Sequence, residues 1–405
     1  MMLLLGLLLS SIAVAKADGT LPLWPLPWKY SVSNQVVGLS STFTFTVGTT
    51  NLILDAAVDR YLKLISVPAN AIGSLNSCQV SISDTATPKD VVSADESYDL
   101  NVDSTSCKIS ATTTWGALRG LETFSQLLSR VDNNVQLSTA PVSISDKARY
   151  DHRGLLVDTA RHYQPVSEIK RIIDSMPANK MNVFHWHIVD AESFPVNTPS
   201  EPTMVTGAFS PSMTYTLADL QDVRTYALYR GVEVIIELDI PGHAASWTKG
   251  KKEVMADCFA KYYYNINDFA LNPALDLTYI TIQHILQDIV NATLSRYIHL
   301  GGDEVVYGCW KNDTSVVTFM QQNNIPSYDA MLGYFVQRVD KNVLGGDEDS
   351  PKTVQTVIHW EEVFTAQAPL DAANTIYQVS RSGYFFLCSC SFLILSFSIF
   401  LSPSL

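Results

Sequence analysis

The sequence predicts an α/β fold: a (β/α)8-type TIM barrel, counted to about six strands, preceded by a small α+β domain. Three observations predict it. From about residue 148 onward, strand-like and helix-like segments alternate strictly, which implies a parallel sheet with right-handed crossovers. The length and number of these repeats favour a barrel over an open sheet. The polar residues of the repeats gather at the C-terminal ends of the strands, where barrels carry their functional groups.

The elements follow in order. Residues 18–147 are rich in Ser, Thr and Val, with short alternating runs. Residues 42–47, Thr-Phe-Thr-Phe-Thr-Val, read as a strand; 55–65 and 118–128 read as amphipathic helices. Strands with a few helices make a small α+β domain, and no catalytic constellation stands out there. The barrel occupies 148–381. Its strands are 154–158, 181–189, 232–239, 297–300, 354–360 and 375–379. Helices at 166–176, 217–229, 276–294 and 329–343 lie between them. The polar strand ends are Asp158, Arg161 and His162; His185, His187 and Asp190; Glu237 and Asp239; His243; Asp303 and Glu304; and Trp360, Glu361 and Glu362.

Composition narrows the class. The chain has 405 residues, 47% hydrophobic and 17% charged, enough for two domains with real cores. A net charge of −13 and a pI near 5.0 argue against nucleic acid or an anionic membrane surface as partner.

The two termini are read separately. Residues 1–17 read as a signal peptide, apolar from Leu3 to Ala13 with small-residue cleavage sites; an N-terminal membrane anchor is the competing reading. Residues 382–405 form a hydrophobic tail. Within it, 384–401 carry no charge and are long enough to span a bilayer, so membrane contact, an aberrant end and a core segment all stay open.

Secretion makes the cysteines readable. Cys78 and Cys107 fall in the first domain, and Cys258 and Cys309 in the second, which suggests pairing within each domain. Four cysteines allow three pairings, and all three stay open on these grounds. Asn291-Ala292-Thr293 and Asn312-Asp313-Thr314 are N-glycosylation acceptors. Together these place the chain in the secretory pathway, outside the cell or in a lysosome or vacuole.

The residues 299–304, His-Leu-Gly-Gly-Asp-Glu, carry the chemistry. Adjacent residues leaving a strand point in different directions, so Asp303 and Glu304 can meet one ligand from two sides. The glycines permit close backbone approach. One carboxyl held protonated beside an ionised neighbour is what acid-catalysed cleavage of a sugar acetal needs. The bland alternative is a solvated acidic pair. His185-Trp186-His187 places two imidazoles on one strand face, which is metal-ligand geometry. No later strand completes a His-His-Asp set, so neither metal nor cofactor is expected.

Taken together, these residues resemble the family 20 glycoside hydrolases, specifically the eukaryotic β-N-acetylhexosaminidases, over 24 to about 379. The resemblance rests on 115–124 (WGALRGLETF), 152–162 (HRGLLVDTARH), 182–190 (NVFHWHIVD), Pro241-Gly242-His243, 299–304 and 360–364 (WEEVF). It implies pairings Cys78–Cys107 and Cys258–Cys309. It implies exo-hydrolysis of terminal N-acetylhexosamine from glycoconjugates such as N-glycans or chitooligosaccharides, with GlcNAc and GalNAc both open. The implied mechanism is retaining and substrate-assisted, the sugar's 2-acetamido group being the nucleophile. Glu304 would be the acid/base, with its pKa raised by burial and by Asp303. Asp303 would hold the acetamido N–H. Arg153 would grip ring hydroxyls, a salt bridge at the barrel base being its alternative. Asp190 and His243 would support the pair and the sugar, and Trp360 would stack on the sugar. Asp158, Arg161, His185 and His187 would form a buried polar network beneath. Relatives of this kind are usually dimers.

The chain departs from the family pattern at the end. Ser380 stands where a tryptophan is expected, and the tyrosine–aspartate and tryptophan–glutamate pairs of strands seven and eight have no counterpart. That implies a weakly active or inactive, poorly folded product; the alternative function is a truncated, catalytically impaired or non-catalytic sugar-binding protein.

Overall fold

A computed structural model describes residues 21–86, 90–258, 265–345, 354–380 and the backbone of 393–395. The signal-peptide reading of 1–17 lies outside the described residues, as does all of the 384–401 stretch except 393–395.

The chain builds two sheets, each with its own apolar core. The first sheet holds β1 (Lys29–Val47), β2 (Leu75–Ile82), β3 (Tyr98–Val102), β4 (Cys107–Ala111), β5 (Leu128–Val131) and β6 (Asn134–Asp146), ordered β1-β2-β4-β3-β6-β5 with β1 also pairing β6. Two helices, α1 (Leu52–Ile65) and α2 (Thr114–Gln126), cover one face. Both start at side-chain caps, Asn51 and Thr113, whose oxygens accept the first free backbone N–H groups. Helix α2 begins four residues earlier than the sequence suggested, because Thr113 caps it and Trp115, Gly116 and Ala117 are buried. The Cys78–Cys107 disulfide ties β2 to β4.

The second sheet is parallel throughout. Its strands are β7 (Gly154–Asp158), β8 (Val183–Val189), β9 (Glu233–Leu238), β10 (Tyr297–His299), β11 (Thr356–Trp360), β12 (Thr375–Val379) and β13 (Leu393–Leu395), paired in chain order. Helices α3 (Val166–Ser175), α4 (Leu217–Leu228), α5 (Trp247–Lys251), α6 (Asp276–Thr293), α7 (Gly308–Asn312), α8 (Thr314–Gln322), α9 (Tyr328–Gly345) and α10 (Glu361–Thr365) supply the crossovers and pack outside. Six strands were counted from the sequence. The seventh, β13, falls in the segment read as a non-family tail, and it completes hydrogen bonds that the edge of β12 would otherwise leave open. Among the described residues β13 does not pair with β7, so the sheet is an open, curled one.

Period-two alternation sorts the inner face into layers. Val183, Ile235 and Ile358 form an apolar floor at the N-terminal end, with Tyr297 and Ile376 against it. One step along each strand pair stand His185, Glu237, His299, Trp360 and Gln378, all buried. The floor excludes water from beneath, and the polar layer faces the strand ends.

The domains are joined by a buried ion cluster. Glu96 of the first domain takes Arg119 of α2 at 2.6 Å and also pairs with Arg153, while Arg119 donates to the Gly231 carbonyl at 2.9 Å. Lys180, after α3, reaches Asp146 at 2.8 Å. Charges this buried hold position only when paired, so the first domain is fixed against the lower end of the barrel.

Candidate active site

The turn after β10 creates the reacting pair. Gly301 has φ +61° and a Cβ there would lie 1.9 Å from Asp239 Oδ1; at Gly302, φ +97°, it would lie 2.3 Å from the Val363 side chain. Only glycine fits both positions. Glu304 itself has φ +49° and His243 has φ +50°, left-handed conformations that a non-glycine residue adopts under constraint, commonly at functional sites.

Asp303 and Glu304 leave this turn in different directions. Asp303 is 24% exposed at its side chain, and its Oδ1 has no hydrogen-bond partner among the described residues. Burial pushes its carboxyl above the ordinary range, and the facing His243 offsets this in part. Glu304 is 60% exposed at its side chain. The burial expected for Glu304 is therefore not found: it stands on the outer lip of the turn, and the desolvated carboxyl is that of Asp303.

His243 sits between them and the barrel. Its Nε2 lies 3.6 Å from Glu304 Oε2 and 4.0 Å from Asp303 Oδ2, and its Nδ1 lies 3.3 Å from Asp190 Oδ1. Burial alone would lower its pKa. The hydrogen bond to Asp190, with the charges of Asp239, Asp190 and Asp303, outweighs burial and holds it up at about 10. Asp190 is fully buried and takes Arg161 at 2.6 Å and His187 at 2.9 Å. Burial would raise its carboxyl, but hydrogen bonds from His187 and His243 keep it well below the ordinary range.

Below them Glu237 is a hub. It accepts from His185 Nε2 and lies against His187 Nδ1, each at 2.7 Å, and accepts from Trp360 Nε1 at 2.8 Å. His187 thus faces a carboxylate through each ring nitrogen, which requires both to carry protons. Its pKa is accordingly well above ordinary: burial opposes the charge, and Glu237 and Asp190 more than restore it. Asp239 is buried beside Asp303 and is pushed well up by burial and by that neighbour; its Oδ1 accepts from Gly302 N at 3.3 Å.

The structure brings together Asp190, His243, Asp303 and Glu304. Trp360 joins them from below: it is 7% exposed, bound to Glu237, with its ring stacked on His185 at 5.9 Å between centroids. It forms floor more than wall.

Arg153 is not brought in, which corrects its assignment to the sugar. It precedes β7 at the opposite end of the barrel, where its guanidinium pairs with Glu96 and donates to the Lys180 and Tyr150 carbonyls. The alternative reading, a base salt bridge, is the observed one. Arg161, expected in the buried network, instead lies at the rim, 34% exposed and held by Asp158 and Asp190 at 2.6 Å each. The sequence carried the signal: Arg161 follows the end of its strand, whereas Arg153 precedes the start. Glu237 and Asp239 were seen as strand-end polar residues but not as the hub and the turn support.

Both disulfides implied by the resemblance are present, Cys78–Cys107 and Cys258–Cys309; the second ties the loop before α6 to α7. Asn291 on α6 and Asn312 at the end of α7 both face solvent. Among the described residues no helix is long and apolar enough to cross a membrane.

Comparison with known proteins agrees with this geometry. The catalytic domain of glycosyl hydrolase family 20 matches residues 150–384, and the beta-acetyl hexosaminidase-like domain matches 23–127. The chain is similar to beta-hexosaminidase 1 of Arabidopsis thaliana, 38% identical over 86% of this chain and 66% of the relative. It is 34% identical to the human beta-hexosaminidase subunit beta over 89% of this chain and 67% of that protein. Among solved structures, a Flavobacterium johnsoniae chitobiase superposes with a TM-score of 0.77 at 26% identity, covering 89% of this chain and 55% of that one. The chain therefore spans about two thirds of these curated relatives and little more than half of that solved structure. With both domains matched in order and an acid pair turned out from the fourth parallel strand, the chain belongs to glycosyl hydrolase family 20.

Proposed function

We propose that this chain is an exo-acting β-N-acetylhexosaminidase that works by retaining, substrate-assisted hydrolysis. One observation carries the reading: Asp303 and Glu304 emerge side by side, one desolvated with a free acceptor oxygen and one open to water, both facing His243 Nε2. A retaining enzyme that supplied its own nucleophile would use a carboxylate against the anomeric carbon. Here Asp303 Oδ1 suits a hydrogen-bond donor instead, the acetamido N–H. Accepting it orients the acetamido oxygen toward the anomeric carbon and stabilises the positive charge that develops on the ring it forms.

Glu304 protonates the leaving oxygen, then takes a proton from the water that opens the ring. His243, fixed by Asp190 and positively charged, sits against both carboxylates and steadies them. Arg161 offers an exposed edge of guanidinium at the rim, suited to ring hydroxyls. The substrates are glycoconjugates ending in N-acetylglucosamine or N-acetylgalactosamine. Two disulfides support an oxidising, secretory compartment, and the solvent-facing Asn291 and Asn312 are its glycan sites.

The test compares a fluorogenic N-acetyl-β-glucosaminide with the matching β-glucoside, which has a hydroxyl in place of the acetamido group. The proposal expects the second to be cleaved at least about 10³-fold more slowly, because the nucleophile and its oriented delivery are both lost. Equal rates on the two would remove the substrate-assisted reading.

The two arginines give opposite outcomes. Arg161→Ala should lower kcat/KM by about 10- to 100-fold, the effect of one or two hydrogen bonds to a charged group. Arg153→Ala should leave KM unchanged in the folded fraction and lower the melting temperature, because it leaves Glu96 short of one of its two buried partners. An Arg153 variant with raised KM and unchanged stability would return that residue to the sugar.

A further inference from the structure

We propose that Asp239, His243 and Asp303 form a binding site for a zinc ion, and that an ion held there excludes the sugar. The three residues come from two loops, Asp239 and His243 from the one after β9 and Asp303 from the one after β10, and one donor atom of each lies within 4.8 Å of the others. Each carries an atom with no hydrogen-bond partner among the described residues: Asp239 Oδ2, His243 Nε2 and Asp303 Oδ1. Asp239 and His243 are 1% and 2% exposed, so these are buried orphans and not solvated groups. A buried polar atom left without a partner is costly, and three residues that each carry one and bring a donor atom within 4.8 Å of the others define a place for a cation.

The surroundings match what zinc uses. Asp190 holds His243 Nδ1 at 3.3 Å, the carboxylate–imidazole contact that fixes the ring and turns Nε2 toward the ion. Two carboxylates and one imidazole give three ligands, with the pocket side open for a fourth. Glu304 Oε2, 3.6 Å from Nε2, is close enough to supply it. The imidazole selects zinc over magnesium or calcium, which prefer oxygen alone. The ion takes the place of the proton on Nε2.

Two other three-residue groups have metal-like spacing, but most of their donor atoms are already engaged. In His185–Glu237–His299 the carboxylate is already engaged by His185, His187 and Trp360. In His187–Asp190–Asp239 both histidine nitrogens face carboxylates. Among the described residues, the outer group differs in that each of its three members carries an unpartnered atom.

Bound zinc would engage the Asp303 carboxylate assigned above to the acetamido N–H. This blocking half rests on the proposed hydrolase reading; the binding half does not. The experiment titrates cobalt(II), the visible stand-in for zinc, into the full, metal-free chain. A tetrahedral visible absorption saturating at one ion per chain, displaced by zinc, is expected. Asp239→Asn, His243→Gln and Asp303→Asn should each weaken it by at least about tenfold. Circular dichroism checks that each variant is folded, and Asp303→Asn, the least buried, serves if the others are not. No absorption, or absorption unchanged in the folded variants, overturns the site. In the activity arm zinc should raise KM and leave kcat unchanged. Full hydrolysis at saturating zinc overturns the blocking half. A metal-free chain that hydrolyses nothing refutes the hydrolase reading, while the cobalt titration still decides the site.

Discussion

Replacing Glu304 by glutamine is expected to lower kcat for chitobiose by about 10²–10⁴-fold, the usual contribution of a positioned general acid. Gln keeps the shape and cannot give up a proton. The size of the loss should depend on the leaving group. A fluorogenic phenol leaves as an anion with little help, so its release should suffer least. An alkoxide such as the second sugar of chitobiose needs the proton most. The stability of the variant should match that of the parent, because the Glu304 side chain is 60% exposed and, among the described residues, its ion-pair contact is His243 at 3.6 Å. Steady-state kinetics on both substrates check this. Equal losses on both, or none on either, would move the acid role elsewhere.

The second large effect is on folding. Glu237→Ala should destabilise the chain by about 3–5 kcal/mol, the range for breaking a buried charged network by removing one partner. Glu237 is fully buried and accepts from His185 and Trp360 while facing His187. Its carboxyl is held well below the ordinary range: burial opposes the charge, and His187, His299 and His185 outweigh it. Alanine leaves the His187 cation with Asp190 alone and opens a cavity inside the strand layer. Guanidinium titration should show a lower midpoint at constant slope. The exposed Glu253→Ala should shift stability by no more than about 0.5 kcal/mol. A Glu237 variant as stable as the Glu253 one would mean the network is not what holds the strand ends.

Much of this was legible in the sequence because period and direction are local properties. Strand β12 was read at 375–379, as found, and most other barrel elements fell within a residue or two, since each buried strand is bounded by helix signals. The Gly-Gly-Asp-Glu turn announced itself for the same reason: only a backbone needing left-handed angles spends two glycines before two acids. What depended on the third dimension was harder. Glu304 reads like a buried acid beside a buried acid, yet the turn places one carboxyl in and the other out. Arg153 and Arg161 flank one short strand, and nothing in their chemistry separates them; only the direction of the strand does. Glu237 lies mid-pattern in an apolar run, and its three histidine neighbours come from two other strands. The three-residue β13 has too little sequence to carry a period and forms only because β12 offers an edge.

The most direct measurement is the configuration of the first product. Proton NMR can follow the full chain acting on chitobiose and observe the anomeric proton before mutarotation. The account predicts β-N-acetylglucosamine first, with the α form appearing only later, because the acetamido oxygen and then water each invert the same carbon. An α product formed first, or no cleavage by soluble, folded chain, would contradict it.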